Sequence, residues 1–202
     1  MLWLKVLMIV CYVYQFRVFS EYFMLRYHDI RVEGLERPVG TQKLHLTVDG
    51  RKNRRYRHTI TRDCTCRTGP KKGEVTLGEA LCAVHVLYQY LQSDPFCALS
   101  KESGSVDLRF MCDVEQSTLN KVLKDVAVAV GDVNALVAAS HGFRRGLACD
   151  LALAGAQLVA ILERGDWRSL AFKAYLDSIK DKLASQAMMN MVGECSDSDE
   201  EV

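Results

Sequence analysis

The chain has no internal repeat and no glycine loop of the G-x-x-x-x-G-K-[ST] kind, which leaves out solenoids and Walker-type nucleotide sites. It has almost no net charge, +1 over 202 residues. It also lacks an apolar run of membrane-spanning length. MLWLKVLMIVCYVYQF carries Lys5 and falls short of the ~20 residues a bilayer needs. No small-residue cleavage site precedes the charged stretch that follows, so a buried helix is expected, with a targeting segment as the alternative. The eight cysteines do not form the pattern of a small disulfide scaffold. Cys11, Cys82 and Cys149 sit in apolar helical patterns, where a thiol packs as a small hydrophobe, and a reducing, intracellular compartment is expected.

What is present is ordinary for a globular protein: 49% hydrophobic and 25% charged residues, enough for one domain with a proper core. The small net charge hides an asymmetry. Residues 51–72 hold nine Lys/Arg against one Asp, and the tail from Glu194 to Val202 holds five acids and no base. A basic binding face follows, and a C-terminal segment over 185–202 that ends in a solvated acidic tail. Residues 40–61 read as a β-hairpin: Leu44, Leu46 and Val48 alternate with polar residues, Asp49-Gly50 signals a turn, and Tyr56, His58 and Ile60 continue the period. Thr76 and Glu79 form a capping box for a helix with Leu77, Leu81, Val84, Tyr88 and Leu91 on one stripe. Ser117 caps another helix, with Leu119, Val122, Leu123, Val126 and Val130 inward and Gly131 ending it. The expected class is α+β, mainly helical, with a small antiparallel hairpin or sheet.

Two groups of residues carry chemistry. Cys64-x-Cys66 and Cys82-x2-His85 are two close pairs of N/S ligands, and His85 lies one helical turn after Cys82. They suit a tetrahedral structural zinc, or else are loop and core thiols beside a helix histidine. The second group lies in residues 141–175, HGFRRGLACDLALAGAQLVAILERGDWRSLAFKAY. His141 and Arg144 are one helical turn apart and can point the same way. Leu147, Leu151, Ala154, Leu158, Ile161 and Leu162 recur at helical spacing, with a break at Gly155. Trp167 and Tyr175 close the stretch; singly, either is equally read as a core aromatic.

H-x-x-R, then G-D-W, then Tyr resembles the C-terminal half of the tyrosine recombinase (phage-integrase-like) catalytic domain, closest in flavour to the DIRS and Crypton recombinases of eukaryotic mobile elements. FRVFSEYFMLRYHDI resembles that family's first box: Glu21, Leu25, Tyr27, Asp29 and Ile30 match, and the first catalytic Arg maps to Arg17. One residue too many separates Arg17 from Glu21. On a helix, about 100° per residue, that could turn the guanidinium away. The resemblance implies a DNA breaking-and-rejoining domain over 1–184 without the family's N-terminal core-binding domain. It implies Tyr175 as nucleophile, with Arg17, Arg144, His141, Lys52 and Trp167 around the phosphate. Lys52 lies in the slot of the catalytic Lys, but is also one of a crowd of cations. Arg51, Arg54, Arg55, Arg57 and Arg145 are expected on the DNA backbone. Double-stranded DNA, a homo-oligomer on it, no catalytic cofactor, no membrane and a nuclear or otherwise intracellular location follow from the resemblance. A decayed recombinase that only binds DNA is the alternative.

Overall fold

A computed structural model describes residues 2–36, 38, 40–51, 56–66, 81–94, 108–110, 115–131, 142–167, 176–181 and 184. The chain divides into two compact units, Met1–Arg144 and Arg145–Val202.

The first unit is built on the apolar N-terminal segment, which forms helix α1, Leu2–Tyr14. Leu4, Val6, Leu7, Val10, Cys11 and Tyr14 are buried in it, so this segment is a core element. No described helix is long and apolar enough to cross a membrane. Three antiparallel strands follow, β1 (Ile30–Glu33), β2 (Lys43–Val48) and β3 (His58–Asp63), in the order β1-β2-β3. Val48 pairs with His58 and Lys43 with Asp63, so the expected hairpin forms, and β1 adds an edge strand with Ile30 opposite Leu46. The alternation of β2 works as read: Leu44, Leu46 and Val48 are buried. Tyr56, expected to continue that period, lies ahead of β3 and is 63% exposed.

Helix α2 (Ala83–Ser93) packs on α1 and β2. Helix α3 (Gln116–Ala129) buries Leu119 and Leu123 and ends with Gly131 at φ 75°. Glu115, not Ser117, occupies its N-cap, and Val130 is exposed because the helix stops before it. Residues 67–80, which include the expected capping box, lie outside the described residues. Phe110 sits at the middle of an aromatic cluster, edge-on to Tyr22, Tyr27 and Tyr90. Tyr27 donates to Asp94 at 2.5 Å.

Helix α4 (Gly142–Leu153) begins at the end of the first unit, and α5 (Leu158–Gly165) belongs to the second. Gly155, at φ 75°, makes the expected break between them. Ala148 and Ile161 form the second unit's small core, with Leu151, Leu162, Trp167 and Leu176 against it. Leu158, one of the residues at helical spacing, is 45% exposed.

Candidate active site and metal centre

The end of α1 sets up the first group. Gln15 follows the helix in the left-handed region at φ 53°, which costs a non-glycine residue about 1–2 kcal/mol. The chain turns there, and two successive carbonyls serve two different arginines. Tyr14 O accepts from Arg51 Nη2 at 3.0 Å, and Gln15 O accepts from Arg144 Nη1 at 2.9 Å. Tyr14 is itself fixed by its hydroxyl, which donates to Leu44 O at 2.6 Å.

Residues 18–21 form turns rather than helix. The extra residue after Arg17 is absorbed there, and no 100° rotation carries the guanidinium away. Arg17 Nη1 reaches Glu21 Oε1 at 2.9 Å, and its backbone N–H donates to Oε2 at 3.2 Å. Arg144 Nη1 lies 3.9 Å from the same Oε1, and Arg51 Nη2 lies 3.2 Å from Oε2. One carboxylate, 2% exposed, thus gathers three guanidiniums from positions 17, 51 and 144. Their exposures differ. Arg17 keeps 26% of its side chain in solvent, Arg51 3% and Arg144 4%. Arg17 is the member of the cluster most open to solvent.

Arg51 is therefore no surface contact for DNA: it is buried, with its guanidinium 5.2 Å above the Phe16 ring. Arg57 is half exposed, but it is paired with buried Asp29 and with Asp49 at 3.6 Å. Arg145 lies in α4 and is exposed. Trp167 follows the left-handed Asp166 at the end of α5 and packs, partly buried, against the second unit's core, its backbone N–H donating to Leu162 O at 3.0 Å. Lys52, Arg54, Arg55, His141 and Tyr175 lie outside the described residues. Glu21 appears in the sequence only as a letter of the first box, and nothing in the sequence pointed to the carbonyls of Tyr14 and Gln15.

The second group comes together as expected. Cys64 and Cys66 leave β3, Cys82 precedes α2 at its N-cap, and His85 lies in the first turn of α2. Their ligand atoms all lie within 4.8 Å of one another, and the three thiols are buried. Cys64 Sγ is 3.7 Å from Cys82 Sγ; His85 Nδ1 is 3.7 Å from Cys64 Sγ and 3.4 Å from Cys66 Sγ. Zn–S and Zn–N bonds of about 2.3 and 2.0–2.1 Å at tetrahedral angles put sulfurs about 3.8 Å apart and sulfur and nitrogen about 3.5 Å apart. The three observed separations match that geometry, and the remaining ones stay within 4.8 Å.

Burial pushes the Cys64 and Cys66 thiols up. At Cys82 burial acts the same way but is outweighed by the backbone N–H groups of His85 and Thr65, at a helix start, and the thiol falls to about 6. A segment the sequence did not single out braces the group. Cys64 N–H donates to Gln42 O at 2.8 Å. Gly40, at φ 98°, lies so close to Cys66 that an added Cβ would sit 2.7 Å from the Cys66 carbonyl oxygen.

No protein-family model matches this chain, and no curated protein does.

Proposed function

We propose that the protein is a tyrosine-type DNA recombinase, which cuts and rejoins double-stranded DNA through a covalent 3′-phosphotyrosyl intermediate. The observation that carries this reading is the meeting of Arg17 and Arg144, far apart in sequence, on one oxygen of Glu21. Those are the two arginines that the family resemblance singles out. The H-x-x-R, G-D-W and Tyr spacing supplies the rest.

In this reading the Tyr175 phenol oxygen attacks the scissile phosphorus, the bond to the 5′-oxygen breaks, and a phosphotyrosyl ester forms. The phenol gives up its proton to His141, since a tyrosine with an ordinary pKa of about 10 is a poor nucleophile at neutral pH. Lys52 protonates the departing 5′-oxygen. Arg17 and Arg144 offset the negative charge that grows on the non-bridging oxygens, with Arg17 at the surface and Arg144 beneath. Trp167 contributes packing and an indole N–H. The 5′-hydroxyl of another strand reverses the step, so the bond energy is kept and no nucleotide is consumed. The protein works in the nucleus or another DNA-containing compartment, as a homo-oligomer on its target. Cys64, Cys66, Cys82 and His85 hold a structural zinc, which supplies a cross-link between the exit of β3 and the start of α2.

The near-complete burial of Arg144 favours a second reading, a decayed recombinase that binds DNA without cutting. A duplex nicked close to the cleavage site separates the two. The enzyme traps a covalent protein–DNA adduct that Tyr175→Phe abolishes. DNA binding without adduct assigns the chain to the second reading.

A further inference from the structure

Arg51 belongs by sequence to a run of surface cations, yet the fold buries it. Burying a guanidinium is costly unless its charge is paired and its donors are used. Here the partners converge from three neighbouring positions: the Tyr14 carbonyl at the end of α1, the Phe16 ring, and the Glu21 carboxylate. The last contact matters most. The terminal torsion of a glutamate is soft, and its carboxylate swings readily unless both oxygens are held. Arg51 holds Oε2 at 3.2 Å, together with the Arg17 backbone N–H at 3.2 Å. Oε1 is thereby left facing Arg17 at 2.9 Å and Arg144 at 3.9 Å. Arg51 is 3% exposed and so is closed to a DNA phosphate, while Arg17 is open to one.

We infer that Arg51 is a positioning residue for the phosphate-binding pair. It fixes the Glu21 carboxylate, and that carboxylate holds the guanidiniums of Arg17 and Arg144. This rests on the recombinase reading and adds to it a third, buried arginine that acts only through the other two.

The test uses the full chain and two nicked duplexes. One carries the ordinary scissile phosphodiester. The other carries a methylphosphonate there, in which a methyl group replaces one non-bridging oxygen and the linkage is uncharged. A defect transmitted through Arg17 and Arg144 shrinks when that charge is absent. Arg51→Ala should slow adduct formation about a hundredfold on the diester, the usual effect of losing one preorganised electrostatic group, and less than tenfold (~10) on the methylphosphonate. Arg51→Lys keeps the charge without the two-ended fork and should fall between wild type and Arg51→Ala. Arg17→Ala should show the same dependence on substrate charge. The comparison is made within each variant, so any unfolded fraction cancels. Equal losses on both substrates, or an Arg51→Ala protein as fast as wild type, overturn the inference while leaving the recombinase reading intact. Wild-type protein that forms adduct with neither substrate overturns that reading and the inference with it.

Discussion

Position 21 shows what a single residue does here. Its carboxylate is 2% exposed and answers to Arg17, Arg51 and Arg144. A buried ion pair gives little net stability against an apolar core, but breaking one leaves an uncompensated buried charge and costs about 3–5 kcal/mol. Glu21→Gln keeps the shape and removes the charge, so two buried guanidiniums lose an anionic partner. The variant should lose about 3–5 kcal/mol of unfolding free energy, read as a lower urea midpoint at unchanged slope. A loss under about 1 kcal/mol would mean that other groups balance those arginines. The resemblance in the sequence paired Arg17 with Arg144, and the fold does bring both to Glu21. The sequence misjudged the risk at Arg17, because the 100° argument holds only on a helix and residues 18–21 are turns. It misplaced Arg51 because charge patterning treats all cations in a run alike. Only the geometry of the Gln15 turn reveals an interior acceptor waiting for one of them.

Among the elements, β2 was the most legible, since a six-residue strand with one buried face writes strict alternation into the sequence. β1 was not, because its four residues are partly buried or exposed without a clean period. The metal cluster was legible because its chemistry is local: a ligand pair beside a strand and another at a helix start. The brace from Gly40 and Gln42 was not, since a backbone approach leaves no residue pattern beyond a glycine. The four residues come from the exit of β3 and the start of α2, on either side of residues 67–80, so a bound metal would link its binding to folding of this region. Purified protein should hold about one zinc per chain by elemental analysis, and Cys64→Ser should lose it. Free zinc at about a thousandfold over its Kd should stabilise chelated wild type by about 4 kcal/mol. For a chain of this size that is about 8–16 °C in Tm. A midpoint that ignores both chelator and zinc would leave the four residues as an ordinary thiol and imidazole cluster.

For the whole molecule the net charge of +1 decides nothing; where the cations stand decides whether DNA binds. By sequence, Arg51, Arg54, Arg55 and Arg57 form one basic stretch. The fold withdraws two of them from it. Arg51 is turned inward onto Glu21 and Tyr14, and Arg57 is engaged by Asp29 and Asp49. An arginine already neutralised by a carboxylate releases no counterion from DNA. If the chain binds DNA as proposed, the phosphate contacts of this stretch fall to Arg54 and Arg55, which lie outside the described residues, and not to Arg51 or Arg57. Each phosphate neutralised on duplex DNA contributes about 0.9 to the slope of log Kobs against log salt. Arg54→Ala with Arg55→Ala should therefore lower that slope by about 1.8, uniformly across DNA sequences. Arg57→Ala should leave the slope unchanged while lowering stability, because it strands Asp29, 5% exposed, without its guanidinium. Titrations of a fluorescent duplex from ~50 to ~200 mM salt resolve the two cases. A slope that falls by about one for Arg57→Ala would place that side chain on the DNA backbone and return the whole stretch to a single basic face.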